Sequence, residues 1–134
     1  MKIFILLIFQ SYIALHSFGQ KICYPWGYTS NLIEDWYELQ EMGEIMSKEI
    51  KKSSGLHYRV GPASRVEYQA IGGSSDWARG EMGIKWTYFL ELPPTRSTRE
   101  NGFLLPPNYI LPTAESIFRG IREMGIQISH KIAP

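Results

Sequence analysis

Between residues 32 and 50, apolar positions recur at steps of three or four: Leu32, Trp36, Leu39, Met42, Met46 and Ile50. That spacing predicts a helix over about residues 33–53 with a single apolar stripe. Its charges are ordered to suit. Glu34, Asp35, Glu38, Glu41 and Glu44 precede Lys48, Lys51 and Lys52, which complements the helix dipole, and Glu44 with Lys48 forms an i,i+4 pair. Asn31 and Glu34 resemble a capping box, and Gly55 stands where a C-cap belongs. A second stripe, Ile117, Phe118, Ile121, Met124 and Ile128, predicts a final helix over 113–128 behind Thr113. Elsewhere the pattern changes. Residues 84–92, IKWTYFLEL, are β-branched and aromatic and predict a strand ended by Pro93-Pro94. Residues 56–60 predict a short strand broken by Gly61-Pro62, and residues 12–16 the end of another. Ser74, Ser75 and Asp76 offer N-cap oxygens for a short helix reaching about Met82. Gly19, Pro25, Gly27 and Thr29-Ser30-Asn31 mark a long turn-rich passage, and residues 96–101 a polar loop. Strands alternating with helices predict α/β layering.

Composition narrows the partners. At 134 residues the chain has the length of one small domain. Fourteen Lys and Arg oppose thirteen Asp and Glu, so no basic field exists to hold nucleic acid. One cysteine, Cys23, excludes an internal disulfide framework and a cysteine-based zinc finger. The apolar start, residues 1–10, has two open readings. Lys2 followed by Ile3 to Phe9 suits the beginning of a signal peptide, and the same run suits a buried strand. It is too short to span a membrane, which takes about 20 apolar residues.

Glu91 is the most informative single residue. A carboxylate closing a strongly apolar strand sits either at a solvated rim or in a cleft, where it can act as a general base. His16 ends the other apolar strand, and ligand-binding residues gather at carboxyl ends of strands in open α/β sheets; a packed or hydrogen-bonded role is the alternative. Tyr68 precedes Gly72-Gly73, so a loop hinge could swing it over a ligand. His57 and His130 receive no role. The His residues show no local metal-ligand spacing, Gly72-Gly73-Ser74 lacks a phosphate-loop ending, and no serine sits in a nucleophile elbow.

Three ordered blocks resemble zinc metallocarboxypeptidases of the carboxypeptidase A/B type. They are HSFGQ (16–20) with YPWGY (24–28); YQA (68–70) with GGSSDW (72–77); and LEL (90–92) followed by GFLLP (102–106) and ILPTA (110–114). The match runs from about Ser11 to Gly125. The resemblance implies a partial α/β/α sandwich, the C-terminal half of a mixed-sheet catalytic domain, in residues 11–134. It makes His16 a zinc ligand and Glu91 the general base acting on the metal-activated water. Tyr68 becomes the loop tyrosine closing over the substrate's C-terminal end. Ser75 becomes the floor of the pocket for the terminal side chain, with Gly27, Ala63, Ala70 and Phe89 around it. Cis peptides are implied at Ser17–Phe18 and Pro25–Trp26. Phe18 stands where many members have Tyr.

The family's other two zinc ligands lie in an H-x-x-E motif upstream of this region, and that motif is absent from the sequence. The resemblance therefore implies a secreted, monomeric enzyme acting on peptide or protein C-termini, of which this chain holds one part and by itself does not turn over substrate. A neutral Ser75 with apolar neighbours implies preference for apolar or aromatic terminal residues. The competing readings are a non-catalytic peptidase-like remnant or secreted binding module, and an unrelated small α/β binding protein.

Overall fold

In the computed structural model, residues 9–94 and 102–132 are described, so the readings of the extreme N-terminus and of the 96–101 loop lie outside the described residues. The central strand β4, Trp86–Leu92, alternates. Trp86, Tyr88 and Leu90 join the main apolar core, while Phe89 packs with a smaller cluster on the other side. Strand β1, Ser11–Ser17, runs parallel to β4 with His16 opposite Glu91. Strand β2, Lys21–Tyr24, runs antiparallel to β4 with Lys21 opposite Glu91, and β3, Arg59–Pro62, runs parallel to β2. The order is β1-β4-β2-β3.

The mixed sheet and its helices agree with the expected fold class. The three expected strands share this one sheet, and a fourth, β2, lies between β4 and β3. Four residues opening with a charged Lys carry too little pattern to announce a strand, yet every one is buried.

Helix α1, Trp36–Ser54, buries Leu39, Met42, Met46 and Ile50 against the sheet, as its stripe predicts. Leu32 and Trp36, assigned to the same stripe, are exposed. The helix starts at Trp36 behind Asp35, which makes no side-chain cap, so the Asn31–Glu34 capping box does not form. Residues 33–36 form a turn instead, with the Trp36 N–H on the Ile33 carbonyl. Gly55 ends the helix in the left-handed region, φ 75°, and its N–H returns to the Lys51 carbonyl at 2.8 Å. Gly43 lets α1 approach the sheet: a Cβ there would lie 2.5 Å from Val60 Cγ1.

A four-residue turn of helix, α2, Ala63–Val66, was not anticipated; it covers the other face of β2 and β3. Helix α3, Ser74–Gly80, is the short helix expected behind the glycines, although neither Ser74 nor Asp76 caps it. A 3-10 turn at Pro107–Tyr109 leads into α4, Ile110–Ile132, longer at both ends than its stripe suggests. Pro112 fits within its first turn, where its missing N–H costs nothing. Ile117, Met124 and Ile128 are buried against α1, whereas Phe118 faces outward. The peptides Ser17–Phe18 and Pro25–Trp26 are cis, as is Pro93–Pro94. Among the described residues, no helix is long and apolar enough to cross a membrane.

Candidate functional site

The face of the sheet away from α1 carries a cavity of about 190 Å³. Strand register assembles its mouth. Residues paired side by side in adjacent strands project to one face, so His16 of β1 and Glu91 of β4 meet there. Phe89, two residues before Glu91, shares that face and meets the His16 ring edge-on, with centroids 5.7 Å apart.

Loops supply the rest. Asp76, at the start of α3, accepts hydrogen bonds from the Gly27 and Tyr28 N–H groups at 2.9–3.0 Å. The Gly27 carbonyl accepts from the Ala70 N–H at 3.0 Å, and the Trp26 carbonyl from the Ser64 N–H at 3.1 Å. These bonds tie three separate segments into one rim. A Cβ on Gly27 would stand in ordinary contact with Asp76 Oδ2 at 3.4 Å and Ala63 Cβ at 3.6 Å, both lining residues of the cavity, so the glycine leaves that space open. Ser75 is 5% exposed and lines the wall, while Tyr68 stands over the opening at 62% exposure.

All eight residues singled out from the sequence therefore surround one cavity: His16, Gly27, Ala63, Tyr68, Ala70, Ser75, Phe89 and Glu91. Four further lining residues had no such role assigned: Glu67, Gly73, Ser74 and Asp76. Asp76 resembled a helix cap in sequence, and only its partners at Gly27 and Tyr28 show otherwise. Glu67 pairs with Lys21 in a largely buried salt bridge. Arg65, close by in sequence, turns outward to the Ser30 carbonyl at 2.9 Å. Beneath the cavity Cys23 is fully buried, and loss of hydration, with Glu67 nearby, pushes its thiol up to about 12.

Sequence and structure comparisons agree on kinship. A family described as zinc carboxypeptidase matches residues 7–120. The chain belongs to the zinc carboxypeptidase family. It is 41% identical over 111 residues to carboxypeptidase B of Astacus astacus, covering 83% of this chain and 36% of the relative. It is 42% identical over 113 residues to carboxypeptidase A2 of Rattus norvegicus, covering 84% of this chain and 26% of the relative. The solved structure of bovine thrombin-activatable fibrinolysis inhibitor in complex with tick carboxypeptidase inhibitor superposes with a TM-score of 0.85 and 29% identity, over 92% of this chain and 40% of that one. The carboxypeptidase A from Helicoverpa armigera superposes at 0.80 and 30% identity, over 92% and 31%. This zinc carboxypeptidase chain thus spans about a quarter to a third of the curated relatives it matches.

The family implies zinc, but the described residues do not form a zinc site. No group of three or more His, Cys, Asp or Glu among them is arranged to hold a metal, whereas a catalytic zinc takes three protein ligands. His16 and Glu91 offer one imidazole and one carboxylate at the cavity mouth.

Proposed function

We propose that this chain provides the substrate side of a carboxypeptidase site, binding the C-terminal residue of a peptide and carrying the proton that its hydrolysis moves. The supporting observation is the convergence of His16 and Glu91, through strand register, at the mouth of a cavity that Tyr68 overhangs. Glu91 is the general base: its carboxylate takes a proton from the attacking water and delivers it to the departing amine nitrogen. Tyr68 closes over the substrate's carboxyl end. The terminal side chain enters between Ala63, Ala70 and Phe89 and reaches Ser75. His16 serves as one metal ligand, the others coming from outside this chain.

The chain alone therefore binds zinc weakly and shows no peptidase activity; tight stoichiometric zinc binding abolished by His16→Ala would sink that assignment. The complete enzyme works as a secreted monomer on peptide or protein C-termini.

Specificity follows from the wall. A charged terminal side chain would lose its hydration against Ala63, Ala70 and Phe89, while the wall carboxylates Glu67 and Asp76 are engaged by Lys21 and by the Gly27 and Tyr28 N–H groups, so apolar and aromatic residues are preferred. The test is a chimera carrying this chain in place of the matching C-terminal part of rat carboxypeptidase A2. It is assayed by kcat/KM on peptides ending in Phe, Leu, Lys and Glu. Phe and Leu are expected to leave fastest, and Ser75→Asp to shift preference toward Lys. Faster release of Lys by the unaltered chimera would refute the pocket assignment.

A further inference from the structure

The cavity wall contains a carboxylate, paired with a lysine behind it, that the proposed apolar preference does not by itself explain. Glu67 lines the cavity, and its Oε2 accepts from Lys21 Nζ; the two side chains are 7% and 11% exposed. Lys21 comes from β2, where it lies opposite Glu91 in register. A Cβ placed on Gly19 would lie 3.4 Å from both Lys21 Cε and Glu91 Cβ, so Gly19 borders the lysine stem and the base alike. The burial of both partners sets this bridge apart from surface pairs, which solvent screens. Cys23 senses the same two charges, Glu67 raising and Lys21 lowering its proton affinity.

We infer that Lys21 is a specificity-determining residue: by pairing with Glu67 it masks a carboxylate in the pocket wall that would otherwise draw basic terminal side chains. The inference rests on the reading of this cavity as the receptor for the terminal side chain. A Lys or Arg side chain entering the cavity meets a carboxylate whose charge is already compensated, with the Lys21 ammonium beside it to repel the newcomer. An aromatic or branched side chain meets Ala63, Ala70 and Phe89 and leaves the pair undisturbed. With the Lys21 charge removed, Glu67 becomes a buried anion lacking that counter-ion, and an incoming ammonium can replace it. With the Glu67 charge removed, Lys21 instead favours an anionic side chain.

The probes carry the terminal side chain alone, so the readout depends on neither metal nor turnover. n-Butylammonium represents Lys, toluene Phe and propionate Glu. Binding to the 134-residue chain at pH 7.5 is followed by amide NMR shifts of Gly27, Ala63 and Ser75. In the unaltered chain toluene binds most tightly. Lys21→Met strengthens n-butylammonium binding by about tenfold or more, and adding Glu67→Gln removes that gain. Glu67→Gln alone strengthens propionate binding by a similar factor, which decides the matter should Lys21→Met fail to fold. No gain for the cation in Lys21→Met, or a gain that survives Glu67→Gln, overturns the masking role while leaving the cavity reading intact. No response of the three amides to toluene in the unaltered chain overturns the cavity reading, and the masking role with it.

Discussion

The ends of β1 and β4 support two unlike surfaces within a few residues. His16 and Glu91 open onto the polar-rimmed cavity of about 190 Å³. Leu15, Ser17 and Leu92, their immediate neighbours, face a groove of about 500 Å³ shared with Phe103, Ile110 and Phe118. The cavity is built by hydrogen bonds that converge from three loops, and its residues are held by partners. The groove is a run of apolar side chains on an edge strand and the first turns of α4, with Leu15 and Phe118 both more than half exposed. Alternation along a strand is what separates them: one step in sequence moves a side chain from chemistry to adhesion. An apolar surface of this kind marks a site where other protein packs. In the reading proposed above, the remainder of a carboxypeptidase domain covers it.

The largest effect expected is at the base. Glu91→Gln in the chimera should lower kcat by about 10²–10⁴-fold, with thermal stability little changed. A stability loss matching the activity loss would make Glu91 structural and erase the contrast between the two surfaces. Next comes the core that both surfaces share. Leu90 is fully buried directly before Glu91, so Leu90→Ala should cost about 2–5 kcal/mol in denaturant unfolding. A cost under 1 kcal/mol would mean that the sheet is not packed as described.

A smaller effect lies under the cavity. Burial holds the Cys23 thiol at about 12 against an ordinary value of 9.0, and the Tyr24 hydroxyl, also by burial, at about 12 against 10.0. Both groups keep their protons longer in the folded chain than in the unfolded one. Their contribution to stability is thus complete below pH 9 and is lost as pH rises from 9 to 12, with each group contributing at most about 1.4 kcal/mol per pH unit. Cys23→Ala should flatten that alkaline decline, measured by denaturant midpoints from pH 8 to 11; an unchanged slope would contradict the burial of the thiol. The smallest effect is at the groove. Phe118→Gln should change the stability of the isolated chain by about 0.5 kcal/mol or less, because the ring is already solvated. In the chimera the same change should cost more. Equal effects in both would show that nothing packs on the groove.

Much of this was legible from residue order. The stripe of Leu39, Met42, Met46 and Ile50 announced α1, and the β-branched and aromatic run before Glu91 announced β4. The family resemblance named eight residues that the fold gathers at one cavity, six of them inside the three ordered blocks. The start of α1 was not legible, because Asn31 and Glu34 have a capping spacing that the turns around Ile33 override. Strand β2 was hidden for a different reason: four residues between Gln20 and Pro25 have no period to read.

What the sequence determined by itself was local: the periods of its helices and strands, the glycine that stops α1, the near balance of charge, and membership in the family. Tertiary structure decided what long-range register controls. It set Lys21 and Glu91 side by side in neighbouring strands, brought Glu67 to Lys21 across 46 residues, turned Asp76 from a helix cap into a clamp on Gly27 and Tyr28, and sent Arg65 out toward Ser30. None of these pairings follows from spacing along the chain. A salt bridge or clamp between distant segments exists only once the sheet has fixed which strands adjoin and which face each side chain takes.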